Sequence, residues 1–239
     1  MTRQEQFISI IKKHQHSFHS IVPFNPEKDK LLAFDFTENN QELTAEIIED
    51  TETFTAYIKH KLQTATCQLG IGGYSEHRTV YNRSRVFDAD KPGAEPRRVH
   101  IGVDIWGPVG TQVFTSLGGR VYSFAFNNHF GDYGVTIILI HQLDSFSFYT
   151  LYGHLSLKDI SNLKEGHFLS RGTAFAHFGE PEENGHWPPH LHFQIIFDMG
   201  IKQGDYPGVC KFSEREQYLS NCPDPDLILQ MNQYVSSGE

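Results

Sequence analysis

The chain has 239 residues, a formal net charge of -9, 21% charged residues and 38% hydrophobic residues. That length suits one sizeable domain with a smaller extension, and the acidity excludes a general nucleic-acid binder and opposes adhesion to anionic membranes, both of which need Lys and Arg. Cys67, Cys210 and Cys222 are too few for a disulfide framework, so free buried thiols are expected over a single Cys210–Cys222 bridge.

The opening stretch, MTRQEQFISIIKKHQHSFHS, has no continuous apolar run and no small-residue cleavage site, unlike a secretory signal. No window is long and apolar enough to span a bilayer. The expectation is a soluble, cytoplasmic protein. Phe7, Ile8, Ile11 and Phe18 recur at helical spacing, which predicts an amphipathic helix over 3–19. LLAFDF at 31–36 reads as a strand. Ile47, Ile48, Phe54, Ile58 and Leu62 trace one face of a second helix behind Asn39 and Asn40. Residues 1–70 therefore form a helix–strand–helix extension, too small to bury much by itself and expected to pack on the rest of the chain.

From 71 to 222 the pattern changes. Short β-type runs appear between Gly and Pro residues: VHIGVDI, GTQVFTSL, GRVYSFAF, GVTIILIHQ, FSFYTLYGHL, GTAFAHFG and HLHFQIIF. The reading is a mainly β domain, an antiparallel sheet or folded sandwich, with its core at 97–198. Residues 91–96 read as a surface loop. The strand pattern stops after 198, and DPDLILQMNQYV predicts a short helix within a C-terminal tail at 223–239.

The chain carries 14 histidines, and three segments concentrate the chemistry. His100 and Asp104 offer nitrogen and oxygen ligands suited to zinc. On a straight strand they would stand ~13 Å apart at ~3.3 Å per residue, so the chain must bend between them, and Gly102 permits it. Gly153 and His154 end a strand-like run, where an imidazole could face a cleft. His190 and His192 project to one side of a strand, with Leu191 and Phe193 facing the core. Both could bind one metal, or one could bind and the other reach a substrate; the spacing leaves this open.

His100-x-x-x-Asp104 followed by Gly110-Thr111-Gln112-Val113, then Gly153-His154-Leu155, then His190-Leu191-His192-Phe193, resembles the LytM/lysostaphin-type M23 zinc metallopeptidases. The wording WPPHLHFQI, with YNRS at 81–84 upstream, resembles the M23-like module of multidomain bacterial kinase/aminotransferase proteins. The resemblance implies an antiparallel β-sheet groove, zinc held by His100, Asp104 and His192, and His154 and His190 as catalytic histidines. It implies a peptide-like or small amide substrate, including peptidoglycan fragments. Tyr152 and Trp187 are expected in the substrate-binding wall. The 71–87 segment is expected to border the cleft, gating it or latching the zinc through Asn82. Two departures stand out: Gln194 replaces the family's usual Glu, and the 180–189 loop lacks the usual Gly/Ser/Thr-rich wording. The leading expectation is a zinc metalloendopeptidase or amidase. The alternatives are a cytosolic zinc hydrolase of a non-peptide amide or ester, and a catalytically silent zinc-containing binding module. Neither the substrate nor the oligomeric state is written in the sequence.

Overall fold

Runs of β-branched and aromatic residues that are apolar on both faces cannot leave either face in water, so they become inner strands of one large sheet. The computed structural model describes residues 1–89, 91 and 93–236. The expected loop at 91–96 and tail at 223–239 thus lie outside the described residues at Pro92 and at 237–239. The strands are β1 (Leu31–Phe34), β2 (Leu69–Gly72), β3 (Val99–His100), β4 (Val103–Trp106), β5 (Gln112–Phe114) and β6 (Gly119–Asn127). They continue as β7 (Gly134–Leu143), β8 (Phe146–Leu155), β9 (Phe168–Leu169), β10 (Ala174–His177), β11 (His190–Ile196) and β12 (Val209–Cys210). The helices are α1 (Arg3–His14), α2 (Ala45–Glu49), α3 (Thr51–Thr64), α4 (Arg215–Asn221) and α5 (Asp226–Leu229).

The main sheet has eight strands in the order β1-β2-β4-β11-β8-β7-β6-β9. Its pairings are antiparallel except β1 with β2, which is parallel. The fold is therefore the mainly antiparallel β architecture expected. Val103, Ile105, Ile137, Leu139, Leu191, Phe193 and Ile195 point to one side and form its core. α1 covers part of that side. A capping box between Thr2 and Glu5 starts it, and Phe7 packs edge-on against Phe148 and Phe197.

β1 extends the sheet through β2, so residues 31–34 share hydrogen bonds with the later strands. The single helix expected over 47–62 is two. Asp50 takes an extended backbone (φ -97°, ψ 121°), ends α2 and accepts the Thr53 N–H at 2.8 Å to cap α3. Phe54 of α3 joins Phe34, Phe36, Trp106, Tyr81 and Trp187 in a second cluster on the other side of the sheet.

Strand pairing does not stop at 198: β12 pairs with β3, with Val209 opposite His100. The C-terminal helix is shorter than expected, because Gln230 adopts a left-handed φ of 51° immediately after α5. α4, with no strong apolar period, was not foreseen. Cys67, Cys210 and Cys222 are buried free thiols. Among the described residues, no helix is long and apolar enough to cross a membrane.

Candidate active site

Antiparallel register places His192 opposite Asp104 on one side and Gly153 on the other, with His190 opposite Trp106. The two-residue period of the pleat then puts Asp104, Trp106, His190, His192 and Gln194 on one face, away from the core. His100 lies on β3, in a different sheet from β4, so the chain does turn between His100 and Asp104. Gly102 matters there chiefly for space: a Cβ would lie 2.4 Å from Cε1 of His192. A Cβ at Gly153 would come 2.5 Å from the Tyr133 ring, and one at Gly208 2.0 Å from the Tyr133 hydroxyl. These glycines let two rings occupy the floor of the site.

His100 Nε2, His192 Nδ1 and Asp104 Oδ1 form a triangle with sides of 2.9, 3.0 and 3.2 Å. The other ring nitrogens fix the tautomers. His100 Nδ1–H donates to the Gly73 carbonyl at 2.9 Å. His192 Nε2–H donates to Gln194 Oε1 at 3.0 Å. Two imidazole lone pairs and a carboxylate oxygen therefore face one another with no proton of their own between them. Burial pushes the Asp104 carboxyl up, but His100 and Arg78 outweigh it and hold the group well below the usual carboxylate range. Burial, aided by Arg78, lowers His100 to about 4, so it is neutral at pH 7. Ligands ~2.0–2.1 Å from a tetrahedral zinc stand about 3.3 Å apart, close to the three separations here. The donor set fits a divalent cation.

Asp104 Oδ2 accepts from Arg78 Nη1. Arg78 is only 2% exposed, and its Nε donates to Glu76 Oε2 at 2.6 Å. The guanidinium thus occupies one carboxylate oxygen and leaves the other for the triangle.

His154 and His190 adjoin this group, their ring centroids 4.1 Å apart. His190 stacks on Trp106 at 3.9 Å and donates Nδ1–H to the Pro188 carbonyl at 2.7 Å. His154 has a left-handed φ of 63°, which swings it out of strand alternation to the site side beside Gly153. Its N–H donates to Tyr133 O and its own carbonyl accepts from Gly179 N, both at 3.0 Å. Its Nδ1–H donates to Asn184 O at 2.7 Å. Both rings therefore keep Nε2 free. Burial, with His190 adjacent, lowers His154 well below its ordinary value, and burial lowers His190 to about 4. Arg78, Asp104, Trp106, His154, His190 and His192 line a pocket of about 240 Å³, walled also by Tyr81, Phe87, Tyr133 and Trp187.

Sequence reasoning placed His100, Asp104, His154, His190, His192 and Trp187 in the neighbourhood where the structure brings them together. Two other expectations are corrected. Tyr152 is fully buried in the core between Phe175 and Phe193, opposite Phe193 in register, and does not line the pocket. Asn82 is exposed and accepts from Arg98 Nε at 2.8 Å, away from the metal-type triangle. The side chain that reaches Asp104 from that segment is Arg78, which sequence reasoning missed, as it missed Glu76, Tyr81 and Tyr133. Gln194 was noticed only as a departure; its place two residues after His192 on one strand was the signal for its contact.

The family model of Peptidase family M23 matches residues 98–203. The catalytic domain of the antimicrobial peptidase lysostaphin from Staphylococcus simulans is 26% identical, over 60% of this chain and 86% of that one, with a TM-score of 0.39. A zinc-containing peptidase from Vibrio cholerae is 26% identical over 46% of this chain, with a TM-score of 0.34, and the match spans only 30% of that protein's length. Helicobacter pylori Csd3 is 24% identical over 52% of this chain and 32% of its own, with a TM-score of 0.34. No curated protein matches the chain. The stretch matched by the model of Peptidase family M23, residues 98–203, contains His100, Asp104, His154, His190 and His192, so the similarity to that family covers the whole candidate site.

Proposed function

We propose that the protein is a zinc-dependent hydrolase of a peptide or amide bond. The observation that carries this reading is the triangle of unprotonated donors with 2.9–3.2 Å sides beside two histidines whose Nε2 atoms are free. His100, Asp104 and His192 would hold the ion. When bound, the ion supplies Lewis acidity and brings the pKa of water to about 7.

The chain's own groups do the rest. Hydrolysis adds the oxygen of water to the carbonyl carbon and delivers a proton to the departing nitrogen. His154 and His190 present Nε2 as proton acceptors, because Nδ1–H of each is already donated to a backbone carbonyl. The one that takes the proton can return it to the leaving amine; the other, neutral and with its Nδ1–H held by a backbone carbonyl, can accept a hydrogen bond from the water at Nε2 and orient it for attack. Arg78 holds Oδ2 of Asp104, so that one oxygen is presented to the ion. Trp106 and Trp187 keep the His190 ring in place, the first by stacking and the second edge-on at 6.3 Å. Peptidoglycan-derived peptides are the first substrates to examine, and a cytosolic amide or ester panel the second.

The test has two readouts. Freshly purified protein should contain close to one equivalent of a divalent transition metal by elemental analysis. His154→Ala should retain it while turnover falls about 10²–10⁴-fold, the usual range for a lost acid–base group. Protein without metal would sink the proposal. Metal-loaded wild type inactive on both panels would leave the silent binding module instead.

A further inference from the structure

The five motif side chains are 1–6% exposed. A long polymer strand cannot lie across groups so deeply covered, and the cover comes largely from residues 78–87. This segment leaves β2, passes over the site through 3₁₀ turns at Val80–Arg83 and Arg85–Phe87, and is pinned from several sides. Ser84 Oγ donates to the Phe130 carbonyl at 2.6 Å, on the loop between β6 and β7. Gly131, with φ of 85°, permits that approach, since a Cβ there would lie 2.3 Å from Ser84 Cβ. The Arg83 guanidinium sits 4.7 Å from the Trp187 ring and 4.9 Å from the Phe130 ring, and its Nη2 donates to Thr51 Oγ1 at 2.9 Å. Arg97 donates to Val86 O, and Arg98 Nη1 donates to Phe87 O at 3.1 Å. Tyr81 packs on Phe87 at 4.6 Å beneath.

Beneath this roof the pocket holds about 240 Å³, less than the ~300–1,000 Å³ of ordinary small-molecule sites. A strand running through would need two openings. Among the described residues that line the pocket, those that keep solvent exposure are Val86, Arg97, Asp132, Lys202, Asp205 and Pro207. They belong together: Arg97 holds Val86, the neighbouring Arg98 N–H donates to the Cys210 carbonyl just beyond the 202–207 loop, and Asn127 Nδ2 and Thr136 Oγ1 both donate to the Gly204 carbonyl, which ties that loop to the hairpin carrying Asp132. They form one mouth, with cations and carboxylates side by side.

We propose that the 78–87 roof turns the site into a dead-end pocket that accepts a small amide or one terminus of a short peptide, and rejects a bond in the middle of a long chain. The proposal rests on the hydrolytic reading above and narrows its substrate class. Charge of both signs at the mouth suits a free amino acid or a very short peptide, whose terminal ammonium and carboxylate lie within a few residues of each other.

Four phosphinic probes test this on zinc-loaded full-length protein by calorimetry: a phosphinic dipeptide, the same phosphinate with a short peptide added at the N-terminal end, with one added at the C-terminal end, and with one added at both ends. The dipeptide and at least one of the two singly extended forms should bind comparably. The doubly extended form should bind at least about 100-fold more weakly, because it must force the roof. Ser84→Ala, which frees the roof from Phe130, should restore about fivefold in affinity for the doubly extended probe, the worth of one hydrogen bond. Equal binding of the doubly extended form, or no gain with Ser84→Ala, overturns the dead-end pocket and leaves the hydrolase standing. If none of the probes binds zinc-loaded protein, the hydrolytic reading falls and takes this one with it.

Discussion

Two regions build the site by different rules. Residues 98–203 contribute every side chain of the triangle and both free imidazoles; strand register fixes the face that Asp104, His190 and His192 take, while His154 reaches the same side through its left-handed backbone. Residues 73–97 contribute the Gly73 carbonyl under His100, the Glu76–Arg78 pair on Asp104, and the roof through Tyr81, Ser84 and Phe87. Among its described residues this second region holds 3₁₀ turns, loops and an isolated bridge from His77 to Val99, between β2 and β3. The reactive groups thus sit where backbone hydrogen bonds leave little freedom, and the groups that orient and enclose them sit where long-range side-chain contacts decide the shape. Chemistry and selectivity can then change separately.

The largest effect expected is at the triangle. His192→Ala should weaken zinc binding by more than about 100-fold, because a direct ligand matters more than the outer partners whose loss costs ~10–100-fold. His190→Ala, one pleat period away on the same strand, should keep zinc within about tenfold of wild type. Chelator competition on both variants distinguishes ligand from neighbour. Equal retention of zinc would dissolve the division of roles within the sheet.

Next in size is an effect from the sheet interior, far from the roof. His141 on β7 is 1% exposed, stacks on Phe148, and shares its ring nitrogens with the Gly118 carbonyl and the Thr150 hydroxyl. Burial lowers it to about 4 from a reference near 6.5. The folded state favours the neutral ring, so its contribution is complete above pH ~6.5 and is lost as pH falls through about 4. That contribution is on the order of 3 kcal/mol. Denaturant titrations from pH 7 to 4 should show wild type losing more stability than His141→Gln by roughly that amount. Parallel curves would place the acid sensitivity elsewhere.

A smaller effect belongs to the roof-side region itself. Arg78→Met should leave the triangle intact but free Asp104 Oδ2, lowering zinc affinity about 10–100-fold as for other outer partners. In the cobalt-substituted protein the visible spectrum should also shift, since the carboxylate can then offer both oxygens. Unchanged affinity and spectrum would reduce the 73–97 stretch to a cover.

How much of this was legible obeys the same division. Period-two alternation placed His190 and His192 together on the face away from Leu191 and Phe193, and the structure adds Gln194 by the same rule. The bend between His100 and Asp104 came from strand rise alone. The pleat also contained the correction at Tyr152, since a residue next to Gly153 faces the other way; His154 obscured this because its left-handed backbone takes it out of alternation. Nothing local marks a non-glycine residue for that conformation. Asp50 was readable as a cap with Thr53 three residues on, and the helix over 47–62 should have been divided there. Arg78 had no such signal: its value comes from Asp104, which lies 26 positions away. β12 has two residues, too few for a period.

Tyr152 gives the smallest expected effect and tests which face of the sheet carries function. Its ring is wedged between Phe175 and Phe193 at 4.9 and 5.2 Å, with no surface exposed. Its hydroxyl has no hydrogen-bond partner among the described residues. A buried hydroxyl without a partner costs about 1–3 kcal/mol, while the ring supplies the packing. Tyr152→Phe should therefore raise stability by up to about 1 kcal/mol in denaturant titration, with zinc affinity and turnover unchanged within about twofold. Were Tyr152 a wall of the groove, losing the hydroxyl would weaken substrate binding and do nothing for stability. A raised KM at constant stability would return it to the groove and overturn the face assigned to β8; a more stable protein with wild-type kinetics keeps catalysis on the side of Gly153 and His192.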